Sequence, residues 1–292
     1  MPEIIHLPVL VREVIGVLKP KEDGIYVDAT VGLGGHAEEI LKFLGPEGKL
    51  IGIDKDEEAL MVAEKRLRNT RVVLKRGDFS DLKFLLSQEG ISKADGILFD
   101  LGVSMLQIKE PERGFSFASD KRLDMRMDRR QELSAWDVVN RYPQRKLETI
   151  LREFGEEPLS RKISEAIIKM RSKKAIETCL ELSEIIKRFY SKRRKIHPAT
   201  KTFQALRIEV NREIDKLKVG LDSALRLLKK GGRLCVISYH SLDDRVVKNF
   251  ISNNAKDGWL KVITKKPIVP DYKEIRINPS SRSAKLRAAE KI

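Results

Sequence analysis

The sequence predicts an α/β fold: a mainly parallel sheet covered by helices, with an all-helical domain set into it. Three observations carry this. Between about 22 and 101, short β-branched or apolar runs alternate with amphipathic stretches, the pattern of parallel strands joined by right-handed crossovers. From Met105 to Arg212 the alternation stops, and helical periodicity continues without a convincing pair of strands. It returns at Ile214, so one βα connection of the sheet contains the helical stretch.

Taken in order, the predicted strands are Ile25 to Ala29, Lys49 to Ile53, Arg71 to Leu74 and Gly96 to Asp100, each closing on Asp, Gly or Thr. His36 to Leu44 reads as the first crossover helix. Asp56 to Arg68 reads as the second, with Ala59, Leu60, Ala63 and Leu67 at helical spacing. After the insert come a helix over Ile214 to Leu228, a glycine stop at Gly231 and Gly232, and a strand from Arg233 to Ser238. Val262 to Thr264 is a further short strand, and the Ser-rich basic end NPSSRSAKLR is given no regular structure. The expected domains are therefore 1–106 with 213–292, and an inserted 107–212.

The 292 residues carry a formal charge of +15, which points to a polyanionic partner. Between Met105 and Arg212 there are 26 Lys and Arg against 16 Asp and Glu, so two thirds of the excess sits in the insert. Within it Ile186 to Lys195 reads IKRFYSKRRK, with Lys187, Arg188, Lys192, Arg193, Arg194 and Lys195 around Phe189 and Tyr190. Such a run is either a solvated helix end or an RNA-binding segment. No apolar stretch has the length of a membrane helix, and the start does not resemble a secretion signal. Two isolated cysteines, Cys179 and Cys235, fit a reducing, cytoplasmic compartment. The four histidines lie far apart in sequence, so no metal is expected.

The chemistry sits at the strand ends. YVDATVGLGGH, Tyr26 to His36, is a strand running into a glycine turn and a helix, where the absence of Cβ atoms lets backbone approach a nucleoside. Asp54 closes the next strand, placed to accept ribose hydroxyls. The turn lacks the third glycine of a pyrophosphate-binding turn, and Asp28 puts a negative charge beside it. Both features suit a sulfonium with an ammonium group better than a diphosphate. Gly77-Asp78-Phe79 offers a carboxylate for an adenine amine and a ring for the base. Asp100, at the end of the fourth strand, is a turn former or a ligand-contacting residue. Tyr239-His240-Ser241 is a candidate wall of the same pocket, with His240 either a loop or a catalytic residue. A nicotinamide-dependent oxidoreductase and a non-catalytic RNA-binding assembly protein remain competing readings of these features.

Nine blocks then carry a resemblance: HLPVL, VDATVGLGGH, GIDKDEEAL, FDLGVSMLQ, ERGFSF, LDMRMD, HPATKTFQALRIEVN, ISYHSLDDRVVKNF and SRSAKLRAAE. Spanning nearly the whole chain, they resemble the bacterial methyltransferases that modify a cytosine N4 in the decoding region of small-subunit (16S) ribosomal RNA. The resemblance implies a Rossmann-like class I methyltransferase that uses S-adenosyl-L-methionine, with a helical insert that helps hold RNA. It implies cofactor contacts at Gly34, Gly35, His36, Asp54, Phe79, Asp100 and Gln107. The Asp/Asn/Ser-Pro-Pro-aromatic tetrad of many amine methyltransferases is replaced here by Asp100-Leu101-Gly102-Val103. Asp100 is thus open to two roles, acceptor for the amine or clamp on the donor's methionine end, and Phe115, Phe117 and Tyr190 are either base-stacking or core residues.

Overall fold

The computed structural model describes residues 8–190 and 196–292. The chain forms two compact units, Met1–Gly102 with Ile214–Ile292, and Val103–Glu213.

In the first unit, five parallel strands form most of a seven-stranded sheet. They are β1 (Ile25–Asp28), β2 (Lys49–Asp54), β3 (Val72–Arg76), β4 (Ala94–Asp100) and β5 (Leu228–Ser238), in the order β3-β2-β1-β4-β5. The sheet then continues through β7 (Lys285–Lys291), antiparallel to β5, to β6 (Leu260–Val262) at the edge. The mainly parallel Rossmann-like sheet expected from the sequence is therefore the one observed. The C-terminal segment given no regular structure instead forms a 3-10 turn, Pro279–Ser283, and then enters β7, which lies between the two strands that precede it in sequence. The edge strand ends at Val262 rather than running on to Thr264, and β5 begins at Leu228, taking in the glycines expected to stop the helix.

Strand side chains alternate between two cores, as the twofold pleat requires. Val27, Ile51, Ile97, Phe99, Leu234 and Val236 face one cluster, completed by helices α4 (Leu82–Ser87), α11 (Glu213–Leu227) and α12 (Ser241–Lys256). Tyr26, Leu50, Leu98, Cys235 and Ile237 face the other, with α1 (Val11–Leu18), α2 (Gly35–Leu41) and α3 (Glu57–Arg66). Strands buried on both faces read as continuous apolar runs, which is why they were legible. Asp56 is the cap of α3 rather than its first residue, its side chain accepting from the Glu58 amide.

Among the described residues of the second unit there is no strand, only helices α5 (Met105–Lys109), α6 (Ala135–Arg141), α7 (Gln144–Glu153), α8 (Ser160–Arg171), α9 (Cys179–Lys187) and α10 (Thr200–Asn211) around their own apolar core. Capping boxes at Ser134 and Thr178 start α6 and α9. Buried Asn211 ties the end of α10 to the LDMRMD segment: its amide oxygen accepts from Met127 N–H at 2.9 Å and its Nδ2 donates to the Met125 carbonyl at 2.8 Å. Arg113, 2% exposed, donates to the carbonyls of Arg126 and Met127. These anchors hold Met125 at φ +59°, a conformation an ordinary side chain adopts only when its surroundings impose it. Among the described residues no helix is long and apolar enough to cross a membrane.

Candidate cofactor site

Strand register explains why three carboxylates meet. Asp28 pairs level with Gly52 on one side and Leu98 on the other. Asp54 and Asp100 stand two residues beyond those partners, so all three aspartates share the pleat face that carries Tyr26, Leu50 and Leu98, at the carboxyl ends of β1, β2 and β4. Ligands of such sheets bind at these ends.

The turn that follows β1 passes between them. Gly32 has φ +50° and Gly34 φ +83°, both in the left-handed region. A Cβ on Gly34 would lie 3.1 Å from the Leu67 side chain, and one on Gly35 3.1 Å from Pro8. Those two glycines also serve close packing of α2 within the protein, where an added Cβ would crowd Leu67 or Pro8. A Cβ on Gly32 would meet nothing nearer than the Thr30 carbonyl at 3.8 Å, so Gly32 is the position open to an approaching ligand.

Each aspartate has fixed partners. Asp28, 1% exposed, accepts from Thr30 N–H at 3.2 Å. Burial, with Asp100 and Asp54 nearby, pushes its pKa up to about 7 against the pull of His36 and the Thr30 amide. Asp54 accepts from Gly32 N–H at 2.8 Å and Asp56 N–H at 2.9 Å, so each oxygen already receives one backbone bond. Burial still raises its pKa to about 6, the two amides and Lys55 opposing the rise. Asp100 donates its N–H to Thr30 Oγ1 at 2.6 Å, and its Oδ1 accepts from the Tyr239 hydroxyl at 2.9 Å. His36, in the first turn of α2, places Nε2 3.4 Å from Asp100 Oδ2, within ion-pair reach but without hydrogen-bond alignment. Burial works against a charged imidazole there, yet Asp100, Asp28 and Glu274 outweigh it and raise the His36 pKa. The result is a desolvated cluster of three carboxylates beside His36 that a further cation would relieve.

The remaining expected residues separate. At the tip of β3 the Phe79 ring packs edge-on against Phe99, centroids 5.6 Å apart, and against Gly220 of α11. The Asp78 carboxylate, expected to be available to an adenine amine, is engaged locally. Oδ1 accepts from Ser80 N–H at 3.0 Å, while Oδ2 lies 3.0 Å from Lys216 Nζ and 3.6 Å from Lys55 Nζ. Burial opposes its ionisation, but those partners hold its pKa below the usual range. His240 caps α12: Nδ1 accepts from Asp243 N–H at 3.4 Å and Nε2 stands 2.9 Å from Asp243 Oδ2, a structural position for this histidine. Gln107 belongs to the second unit, where its Oε1 accepts from Ser104 N–H in the capping box of α5.

In the second unit Lys187 ends α9, paired with Glu184 at 2.6 Å, and Arg188 is the residue that caps it. Lys192, Arg193, Arg194 and Lys195 lie outside the described residues. The aromatics pack inward: Phe117 stacks on His197 with centroids 3.9 Å apart, Phe115 and Tyr190 lie against the helical core, and the Tyr190 hydroxyl bonds Glu157. Thr30 and Glu274 were missed as site residues. Thr30 stands inside the glycine motif and could have been noticed. Glu274 follows no motif, and approaches through α13 (Tyr272–Ile277), where its Oε1 accepts from Leu10 N–H at 2.8 Å.

Residues 3–292 match the model of the MraW methylase family. A protein of Persephonella marina named ribosomal RNA small subunit methyltransferase H is 50% identical, over 98% of this chain and 99% of that protein. Proteins of the same name from Caldicellulosiruptor saccharolyticus and Clostridioides difficile are 48% and 44% identical, again over nearly the full length of both chains.

Proposed function

The chain belongs to the MraW methylase family, and from that premise we propose that it methylates the exocyclic N4 of a cytosine in the decoding region of small-subunit ribosomal RNA, in the cytoplasm. S-adenosyl-L-methionine is the methyl donor, its sulfonium supplying an electrophilic methyl group. The family excludes the oxidoreductase alternative raised by the glycine turn.

One observation carries the donor assignment: Asp28, Asp54 and Asp100 converge at neighbouring strand tips around a left-handed glycine turn, short of compensating positive charge. A ligand bearing a sulfonium and an ammonium relieves that deficit, whereas a diphosphate would aggravate it. Asp54 would hold the ribose, since each of its oxygens keeps a lone pair beyond its backbone bond. Asp100 and His36 would face the methionine end. Gly34 and Gly35 shape the turn, and Gly32 admits the nucleoside.

The transfer is an in-line displacement that depends on alignment and on exclusion of water rather than on covalent help. A cytosine amine is a weak nucleophile, because its lone pair is delocalised into the ring, and on methylation it must lose a proton. The methylated, cationic amine is acidic enough to release that proton to water, so Asp100 Oδ2, the oxygen Tyr239 does not occupy, is left to the donor. A base reaching such a pocket must be unstacked from its neighbours. The basic second unit, with Lys187, Arg188 and the run Lys192 to Lys195, would hold phosphates of the RNA.

The test is to incubate the protein with labelled donor and small ribosomal subunits lacking the modification, then map the label. Label at a cytosine N4 in the decoding region is the expected result. Label on another atom or another RNA would refute the finer assignment, and no transfer to subunits or to naked RNA would refute the activity.

A further inference from the structure

Asp100 is held by a contact that neither the glycine motif nor the family's cofactor positions include. Tyr239 follows directly after β5, two residues past Ile237, which pairs with Asp100 itself. The parity of the strand puts its ring on the same sheet face as the three aspartates, packed with Leu98, Cys235 and Ile237. Gly102, at φ +109°, brings the exit of β4 alongside that ring; a Cβ there would stand 3.5 Å from it. The ring is therefore fixed by its own core, and the hydroxyl reaches Asp100 Oδ1 at 2.9 Å.

A carboxylate on a short side chain has no strongly preferred final torsion. What fixes its plane is a hydrogen bond to one oxygen, and one to a charged acceptor is among the stronger kinds. With Oδ1 taken by the hydroxyl and the main-chain N–H tied to Thr30 Oγ1, Asp100 has one orientation, Oδ2 turned toward His36. Burial first, then Asp100 and Glu274, raise the Tyr239 pKa, so the hydroxyl keeps its proton and remains a donor.

We infer that Tyr239 is a positioning residue for methyl transfer: its hydroxyl sets the plane of the Asp100 carboxylate so that Oδ2 is presented to the cationic end of the methyl donor. This rests on the reading of Asp100 as a donor contact.

The experiment is a double-mutant cycle on the full chain, with Tyr239→Phe, Asp100→Asn and the pair. S-adenosyl-L-methionine affinity is read by calorimetry, with melting and the KM for RNA measured alongside. Tyr239→Phe keeps the ring and its packing. It should weaken donor binding roughly tenfold, the scale of one hydrogen bond to a charged group, with the KM for RNA unchanged and melting lowered no further than by the loss of that one bond. Added to Asp100→Asn it should cost nothing further, since both act through one contact. Asp100→Asn weakened and Tyr239→Phe like wild type would overturn the inference alone, as would additive losses or a loss accompanied by a greater fall in melting and a higher KM for RNA. Normal donor binding by Asp100→Asn would overturn the reading of Asp100 as well.

Discussion

Replacing Asp28 by asparagine tests the electrostatic character of the pocket without emptying it. In the folded chain Asp28 titrates at about 7 instead of the ordinary 3.8. The folded state therefore keeps a proton that the unfolded chain releases, and its stability falls as pH rises from roughly 4 to 7, by about 1.4 kcal/mol per pH unit. Over three units the difference reaches about 4 kcal/mol, present below the unfolded pKa and lost above the folded one. The carboxamide of the Asp28→Asn variant carries no charge at any pH, and its oxygen can still accept from Thr30 N–H, 3.2 Å away in the wild type. The donor-free variant should accordingly show a flatter dependence, gaining on the wild type between pH 5 and pH 8 by about 2.5 kcal/mol, the part of that difference lying above pH 5, on top of a constant offset from its buried NH2 group. His36 and Asp54 also lose stability as pH rises, because their folded pKa values are raised too, and since Asp28 contributes to the His36 shift, the difference between the two proteins reports Asp28 together with that contribution. Urea unfolding without donor at pH 5, 6, 7 and 8 measures it. Equal slopes for variant and wild type would refute the reasoning. With donor present the ordering should reverse, since the substitution withdraws a charge that the cationic ligand needs.

Asp54→Ala should lower donor affinity by more than roughly tenfold and, by freeing the amides of Gly32 and Asp56, lower stability by about 2 kcal/mol; calorimetry showing normal affinity would contradict the ribose assignment. Gly34→Ala and Gly32→Ala should differ in kind. The first forces Leu67 to move and costs about 1–2 kcal/mol or more in urea unfolding; the second carries a similar left-handed penalty but mainly reduces donor affinity, and the opposite split would reverse their roles. Replacing Lys192, Arg193, Arg194 and Lys195 by Ala should flatten the salt dependence of RNA affinity by about 0.7 in log-log slope for each phosphate no longer neutralised, and filter-binding titrations with an unaltered slope would make that run a solvated surface.

The strand tips were legible because parallel strands buried on both faces are written as apolar runs, and each of β1, β2 and β4 closes on the aspartate that matters. The function of individual glycines was not. A Gly-x-Gly-Gly turn looks the same whether a missing Cβ makes room for a ligand, as at Gly32, or for Leu67, as at Gly34. β7 escaped notice because Lys285 to Lys291 has no β-branched residue; its strand character comes from pairing with β5 and β6 on either side. The Tyr239–Asp100 bond spans 139 positions, and no local pattern encodes a partner at that distance. The basic run was chemically readable, but the neighbouring aromatics were ambiguous: alternation of rings and cations suits a stacking surface, yet Phe117 and Tyr190 serve the helical core.

The position of β7 gives this chain an order of completion. The second unit is continuous in sequence, with its hydrophobic centre made of residues between Phe115 and Val210, so all of it is synthesised before β5 exists. The first unit must wait for β7: until Lys285 to Lys291 emerges, Ile237 lacks Leu286 opposite it and β5 presents a bare edge to any other strand. A nascent chain that terminates before 285 would thus carry an adhesive, unfinished sheet, a product that proteolysis should clear faster than a chain that includes β7.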